Sequence, residues 1–369
     1  LLTNVTATSD GYVNLSESRA GRGVTDTLIT YGIRTLGSPY YSTWLGSAWD
    51  TDAADGTFLA TVDTTVAYSN PTRNEIVVVS ACGDGTAPES IYANVWDGVT
   101  SSWGTTPLIV ATNTNYQTAY RQFDIAFESL SGDAIIFYQN GTGPTLYYEI
   151  WNGNSWDGPY SKSLSNLTTN ILWIEAASNP LSDEIAVLIA DYANADAEGL
   201  IWNGNGFSSE RLLETTLSAS TYQCHDVEYE HSSGYATFVW GAGTSMESRQ
   251  WTGSAWGSEI TAVAIGGAPN WMSLQPDPNS DRLILTVIDA SKDLNTVLWS
   301  GTAWAAAVEH DSAVELIERR CGDAIFESAS GHSGHIILVY GDGTDTAYKH
   351  WNGTSWNYGP TALPSQPVV

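Results

Sequence analysis

The stretch WNGNSWDGPY runs from Trp151 to Tyr160, and WNGTSWNYGP, from Trp351 to Pro360, nearly copies it. Two tryptophans held five residues apart around a glycine suit either a ligand clamp or a packing element, and the number of copies separates the two. The related strings are WLGSAW (Trp44 to Trp49), WDGVTSSW (Trp96 to Trp103), WNGNSW (Trp151 to Trp156), WNGNGF (Trp202 to Phe207), WTGSAW (Trp251 to Trp256), WSGTAW (Trp299 to Trp304) and WNGTSW (Trp351 to Trp356). Their first tryptophans are 52, 55, 51, 49, 48 and 52 residues apart, and thirteen of the sixteen tryptophans in the chain belong to the motif. Self-similarity at such a period marks a chain of stacked supersecondary units. Seven units of this length fill nearly all of the 369 residues. Stacked repeats share one core, so a single domain over 1–369 is expected.

The third unit shows the local grammar most clearly. Its sequence predicts a strand over 123–127, a turn over 129–133, a strand over 134–138, a glycine-bearing turn over 140–143, a strand over 145–151, the tryptophan turn, and a fourth strand beyond it. Units two and four share SNPTRNEIVV from Ser69 and SNPLSDEIAV from Ser178, whereas units three and five share ESLSGDAIIFY and EHSSGYATFVW. Helical spacing of apolar residues is essentially absent. Four strands in each of seven units predict an all-β fold, a seven-bladed β-propeller of four-stranded antiparallel blades. The first unit has a second strand over 27–31, but its first strand must lie within VTATSDGYVNLSES, which either belongs to blade one or pairs with the last blade. Residues 1–10 are read as an extending or ring-closing strand and 360–369 as a tail. As unpaired strand edges, the end segments LLTNVT and QPVV would recruit a neighbouring subunit.

Composition narrows the partners. Thirteen Lys and Arg against 41 Asp and Glu give a net charge of −28, a field that repels phosphate backbones and excludes nucleic acid as a partner. No apolar run reaches the length of a membrane-spanning helix. The chain starts Leu1-Leu2-Thr3, consistent with a leader already removed, and carries Asn-x-Ser/Thr acceptors at Asn4, Asn14, Asn140, Asn166 and Asn352. With few lysines and much Ser, Thr, Asn and Gly, these features predict an extracellular or cell-surface glycoprotein. Cys224 and Cys321 fall at equivalent places, each two residues before an aspartate, a whole unit apart. All three cysteines, Cys82 included, are expected to be unpaired and mostly buried.

The tryptophan motif itself reads as packing between blades, since an indole buries roughly 150–250 Å² and Phe207 replaces one without disturbing the pattern. A second recurrence, D-x-x-[FY]-E, pairs Asp124 with Glu128, Asp226 with Glu230 and Asp323 with Glu327, in units three, five and seven only. On inner strands Asp124, Asp226 and Asp323 would converge on a channel cation such as calcium, or each would accept hydrogen bonds from its neighbouring blade or simply face water. No other cofactor is called for. His332 and His335, in SGHSGHI, have no companions at metal-ligand spacing and read as a solvated turn. The acidic segments PDPNSDR from Pro276 and DYANADAEG from Asp191 read as surface charge. No G-x-S-x-G elbow or Gly-rich phosphate loop is present, so no catalytic residue is assigned.

The strand-turn-strand AIIFYQNGTGPTLYYEIWNGNSW and its copies resemble the repeat of the propeller lectins that bind fucose. The resemblance covers about 25 residues per unit and implies the propeller fold. Those lectins hold fucose with a strand arginine and a glutamate just before the turn, on a ring of six blades. Here the arginine position reads Val78, Ile136, Val187, Phe238, Ile284 and Leu338, and the glutamate is matched only by Glu149. Fucose recognition of that kind is not expected. In its Trp-Asn-Gly-rich style the chain also looks like propellers of large secreted and surface proteins of bacteria and archaea. The leading expectation is a non-enzymatic extracellular module for surface assembly, filament formation or adhesion, with protein partners or self-assembly. The alternative is a carbohydrate-binding propeller using loop aromatics such as Tyr40, Tyr41 and Trp271, and the third is a glycoside hydrolase or lyase.

Overall fold

A computed structural model describes residues 14–18, 27–32, 39–44, 48, 50–51, 53–55, 62–82, 89–104, 107–114, 120–191, 193–219, 221–314, 320–328, 331–342, 346–357 and 361–362. The chain divides into two compact units, Leu1–Ala176 and Ala177–Val369. Among the described residues there is no helix, and the strands form seven antiparallel sheets in sequence order. Blade 1 comprises Asn14–Ser18, Thr27–Gly32, Tyr40–Trp44 and Ala53–Ala54; blade 2 comprises Val62–Ser69, Glu75–Cys82 and Glu89–Asp97, with its fourth place split between Ser102–Trp103 and Leu108–Thr114. Blade 3 is Phe123–Phe127, Ala134–Gln139, Thr145–Trp151 and Trp156–Ser163, and blade 4 is Ile171–Ser178, Glu184–Asp191, Ala197–Asn203 and Phe207–Glu214. Blade 5 is His225–Tyr229, Ala236–Ala242, Ser245–Trp251 and Trp256–Ala264. Blade 6 is Pro269–Pro276, Leu283–Asp289, Leu294–Trp299 and Val308–Asp311, and blade 7 is Gly322–Phe326, Ile336–Gly341, Thr346–Trp351 and Thr361–Ala362. The fold is an all-β, seven-bladed propeller.

The ambiguous first unit resolves locally: Asn14–Ser18 is the first strand of blade 1 and pairs antiparallel with Thr27–Gly32. At the far end, Thr361–Ala362 pairs with Ala347 and Tyr348 as the fourth strand of blade 7. Residues 1–10, Asn4 and Trp49 lie outside the described residues, as does the rest of 360–369. Burial falls from the first strand to the fourth. Phe123–Phe127 and Ala134–Gln139 are buried at every position, whereas Trp156–Ser163 is exposed at most of its positions. The continuous apolar runs of first and second strands are therefore two-faced core strands, and the fourth strands meet solvent.

The tryptophan motif is the hairpin between third and fourth strands. Trp151 pairs with Trp156, Trp202 with Phe207, Trp251 with Trp256, Trp299 with Trp304 and Trp351 with Trp356. The two rings touch across each hairpin, with centroids 5.1 Å apart at the closest, Trp299–Trp304, and 5.7 Å at Trp351–Trp356. The residue after the first tryptophan closes the turn through its side chain: Asn152 Oδ1 accepts from the amides of Asn154 and Ser155 at 3.0 Å, and Asn352 Oδ1 does the same for Thr354 and Ser355. Next comes a residue in left-handed backbone, as at Gly204 with φ +86°, which is why glycine stands there. In blade 2 the loop is two residues longer, and the left-handed position passes to Ser101, φ 49°.

The first tryptophan then locks its blade to the one before. Trp151 Nε1 donates to Glu75 Oε2 at 3.2 Å, Trp251 Nε1 to Glu184 Oε2 at 3.0 Å and Trp299 Nε1 to Glu230 Oε1 at 2.6 Å. Second tryptophans do the same to hydroxyls, Trp256 to Ser209 and Trp304 to Ser248, both at 2.8 Å. The SNP segments explain the pairing of even with odd units. Asn70 and Asn179 each fold their own turn through Oδ1 and donate Nδ2 to a glycine carbonyl of the next blade, Gly132 at 2.8 Å and Gly234 at 3.2 Å. Blade 6 breaks this pattern. Asp277 and Arg282 stand where Asn179 and Glu184 stand in blade 4, and Trp351 Nε1 has no acceptor among the described residues.

Two outcomes follow for stability. Gly204→Ala forces a Cβ into left-handed backbone 3.3 Å from Asp183 Cβ, and should cost about 1–2 kcal/mol in urea unfolding. Gly206→Ala, in the same turn with open space around it, should lie within about 0.5 kcal/mol of the parent or above it. Equal effects would contradict the turn geometry. The second outcome concerns His310, which is 8% exposed, bonds Thr296 Oγ1 through Nε2 at 2.7 Å and meets Trp356 edge-on with ring centroids 4.6 Å apart. Burial, helped by the Lys349 ammonium, pushes its pKa from 6.5 down to about 3. The unfolded chain therefore takes up this proton first, so the stability tied to neutral His310 is full above 6.5 and drains as pH falls toward about 3. The loss of unfolding free energy between about pH 7 and about pH 4 should be roughly 1–3 kcal/mol smaller in His310→Gln than in the parent. Superimposable profiles would contradict it.

Candidate functional site

The surface between blades 5 and 6 opens because blade 6 departs from the common plan. In blades 3, 4 and 5 the fourth strand starts at the second aromatic residue of the turn, but in blade 6 it starts only at Val308. Ala305–Ala307 leave the sheet edge after one backbone bond, Ala305 N–H to Leu298 O at 2.9 Å. The run of small residues in WAAAV leaves room where a full strand would stand. A cleft of about 540 Å³ results, walled on one side by Ile260, Ala262 and Val263 and on the other by Ala303, Ala305 and Ala307. Trp304 lies against it, half-buried, packed on the core with Ile260 and Val263 and held by the Ser248 hydroxyl. Thr261 and Thr302 supply exposed hydroxyls at the cleft. Among the described residues, the lining holds no acid, base or cysteine. The cleft thus offers an indole, an alkyl wall and neutral hydrogen-bonding groups, which serve binding and carry no group for proton transfer.

A second polar–aromatic patch lies on blade 3. Tyr148 and Tyr160 face each other across the third and fourth strands with ring centroids 5.3 Å apart, and the Tyr160 hydroxyl donates to Asp157 Oδ2 at 2.7 Å. That bond raises the Tyr160 pKa. Glu149, the one match to the lectin glutamate, is 5% exposed, with its carboxylate packed against Gly158. Burial, and then the charge of Asp157, raises its pKa. It is therefore enclosed rather than presented. The residue paired with it, Ile136, and its counterparts Val78, Val187, Phe238 and Leu338 are buried as well. In blade 6 the counterpart is Leu285, registered with Val297, and the expected Ile284 is displaced by one residue. The apolar second-strand positions face the core, so they offer a sugar nothing.

The remaining sequence candidates fall mainly into packing. Tyr41 lies on the third strand of blade 1 with its ring 5.4 Å from Trp96 and 5.3 Å from Trp103, and Trp271 is 8% exposed on the first strand of blade 6, touching Tyr222. Tyr40 pairs with Ala54 beside them. The structure thus puts these aromatics in strands, where the sequence reading had them in loops. Cys224 is buried, its thiol donating to Ala219 O at 3.2 Å, Cys321 is half-buried, and the Cys82 side chain lies outside the described residues. Asn352 is exposed in its turn, Asn140 and Asn166 are half-buried, and Asn14 is described in its backbone only.

Two of the three aspartates of the D-x-x-[FY]-E recurrence reach toward the next blade. Asp124 Oδ2 accepts the Ala176 amide at 2.9 Å, and Asp226 Oδ2 accepts the Leu274 amide at 2.7 Å. Arg121 sits between Asp124, at 3.0 Å, and Glu175. One guanidinium serving two buried carboxylates leaves an excess negative charge, and burial pushes the Asp124 pKa up to about 7 against the pull of Arg121. Asp323 accepts the amide of Ala324 and lies 3.7 Å from Arg320. Among the described residues, the group whose ligand atoms gather closely enough for a metal ion does not include these three aspartates.

No protein-family model matches the chain, and no curated protein sequence matches it. Among solved structures, it is similar to the BP39L lectin from Burkholderia pseudomallei, at 12% identity and a TM-score of 0.65, over 95% of this chain and 99% of the lectin. It is similar to the Dos1 propeller at 11% identity and a TM-score of 0.55, over 89% of this chain and 76% of the other. A chain of the mitotic checkpoint complex matches at 11% identity and a TM-score of 0.52, over 92% of this chain and 89% of its own. A lectin, a propeller named for Dos1 and a checkpoint component have little in common beyond architecture, and what the three similarities establish is the β-propeller fold of this chain.

Proposed function

We propose that this chain is a non-enzymatic carbohydrate-binding propeller acting outside the cell or on its surface, with the sugar held in the cleft between blades 5 and 6. The observation that carries this reading is the half-buried Trp304 beside an apolar wall and two threonine hydroxyls, in a cleft of about 540 Å³ without a titratable lining residue. A sugar ring has an apolar C–H face and a rim of hydroxyls, so it needs an aromatic or alkyl surface and neutral hydrogen-bonding partners together. The propeller is also a fold on which a lectin is built, as the Burkholderia protein shows for itself. Absence of acids from the lining supports binding over glycoside cleavage, which needs two carboxyl groups astride the bond.

This reading takes precedence over the surface-building module expected from the sequence, because the cleft sets an indole beside an apolar wall and neutral hydroxyls, the combination a sugar ring uses. The net charge of −28 favours neutral or cationic glycans over sulfated or phosphorylated ones. No helix among the described residues is long and apolar enough to cross a membrane.

A glycan array, followed by calorimetry on the best hit, tests the proposal. Ala306 is exposed on the cleft lining, so Ala306→Arg fills the cleft without touching the core. Binding by the parent and a loss of at least about tenfold in Ala306→Arg, with an unchanged melting temperature, is the expected result. An array without hits, or full binding by Ala306→Arg, would overturn it.

A further inference from the structure

Blade 7 gathers three histidines around a carboxylate. Glu327 follows the first strand, His332 and His335 lie in the turn before the second, and His350 lies on the third strand opposite Ile337. Backbone bonds fix the turn, with the Glu327 amide donating to His335 O at 2.9 Å and the His335 amide to His332 O at 3.0 Å. His350 Nε2 stands 3.0 Å from Glu327 Oε1 and 3.1 Å from His335 Nδ1, and His332 Nδ1 stands 2.5 Å from Glu327 Oε2. Reading His332 and His335 as an isolated solvated turn is thus corrected: the strands bring them the two companions that their sequence neighbourhood lacks.

We infer that Glu327, His335 and His350 form a binding site for a divalent transition-metal ion, zinc in particular. Their three ligand atoms lie within 4.8 Å of one another. Donors bound at 2.0–2.2 Å in a tetrahedron stand about 3.3–3.6 Å apart, and the two separations at His350 Nε2, 3.0 and 3.1 Å, need open by only a few tenths of an ångström to reach the lower end of that span. Hydrogen bonding alone serves this arrangement poorly, because the single ring proton on His350 Nε2 cannot satisfy a carboxylate and a second imidazole nitrogen together. A cation at their centre satisfies all three. His332, the most exposed of the set at 51%, holds the second carboxylate oxygen and so orients the ligand from outside. The nearby guanidinium of Arg282, packed on Gly334, is already paired with Asp277 at 2.7 Å. Two imidazoles and one carboxylate suit zinc and disfavour calcium, which takes oxygen ligands.

Blade 5 provides an internal control. Glu230 occupies the place of Glu327, with its amide on Tyr235 O at 2.9 Å, and its carboxylate takes Ser233 at 2.6 Å, Gln250 at 2.5 Å and the Trp299 indole at 2.6 Å. Every partner there is a hydrogen donor, and three donors occupy the carboxylate where blade 7 offers imidazole nitrogens. In blade 7, His335 replaces Tyr235 and His350 replaces Gln250 at the same register positions.

The test strips the full chain with a chelator and titrates it with zinc chloride by calorimetry, then with cobalt(II) by its visible spectrum, beside a calcium chloride arm. The expected result is about one zinc per chain, tetrahedral cobalt absorption and no calcium heat at the same concentrations. The blade-5 swap, His335→Tyr with His350→Gln, should lower zinc affinity by at least about tenfold and abolish the cobalt band. His332→Ala, at an exposed position that leaves the fold intact, should weaken zinc by a smaller factor, and His231→Gln, a turn residue of blade 5, should leave it unchanged. Absence of zinc binding by the parent, or equal binding by parent and swap, would overturn the inference.

Discussion

An indole N–H taken out of water costs about 1–3 kcal/mol unless it meets an acceptor, and in blades 3, 5 and 6 the first tryptophan of the turn finds that acceptor on the preceding blade. Trp151, Trp251 and Trp299 all end on carboxylates in this way, Glu75, Glu184 and Glu230. The constraint runs in both directions, because each carboxylate is itself largely withdrawn from solvent and needs its donors. Repetition of one turn therefore does more than supply aromatic bulk. In blades 3, 5 and 6 it places an N–H where a carboxylate of the neighbouring blade satisfies it, and so ties each of these blades to the one before.

Departures from that lock mark the places where the surface acquires chemistry. Arg282 stands where a carboxylate would receive Trp351, and in the same pair of blades the fourth strand of blade 6 starts late and three histidines surround Glu327. Both features lie where blades 6 and 7 depart from blades 4 and 5, with Arg282 in the place of Glu184 and His335 and His350 in the places of Tyr235 and Gln250. Glu230 and Glu327 show the contrast within one molecule, one carboxylate saturated by donors and the other facing imidazoles.

The blade plan was legible in the sequence because its determinants are local. An asparagine that closes its own turn, a glycine in left-handed backbone and apolar runs of strand length lie within a few residues of each other, so the strands over 123–127 and 145–151 coincide with those observed. The sites were less legible. Glu327 and His350 are 23 residues apart and meet through the register of three strands, and no spacing rule for metal ligands anticipates that. Tyr41 and Trp271 look free in the sequence, yet Tyr41 is half-buried against Trp96 and Trp103 and Trp271 is buried. A slip of one residue, Ile284 for Leu285, left the conclusion unchanged because both are apolar and buried. The cleft has no motif at all, since it arises from a strand that fails to start.

A double-mutant cycle on Glu184→Ala and Trp251→Phe tests the lock most directly, with unfolding free energies from urea titration for the parent, both single variants and the pair. The bond spans 67 positions of sequence and joins blade 5 to blade 4 at 3.0 Å. A favourable coupling of about 1–2 kcal/mol between the two side chains is predicted. Additive effects, with a coupling within about 0.3 kcal/mol of zero, would contradict the account, because the tryptophans would then contribute only as bulk.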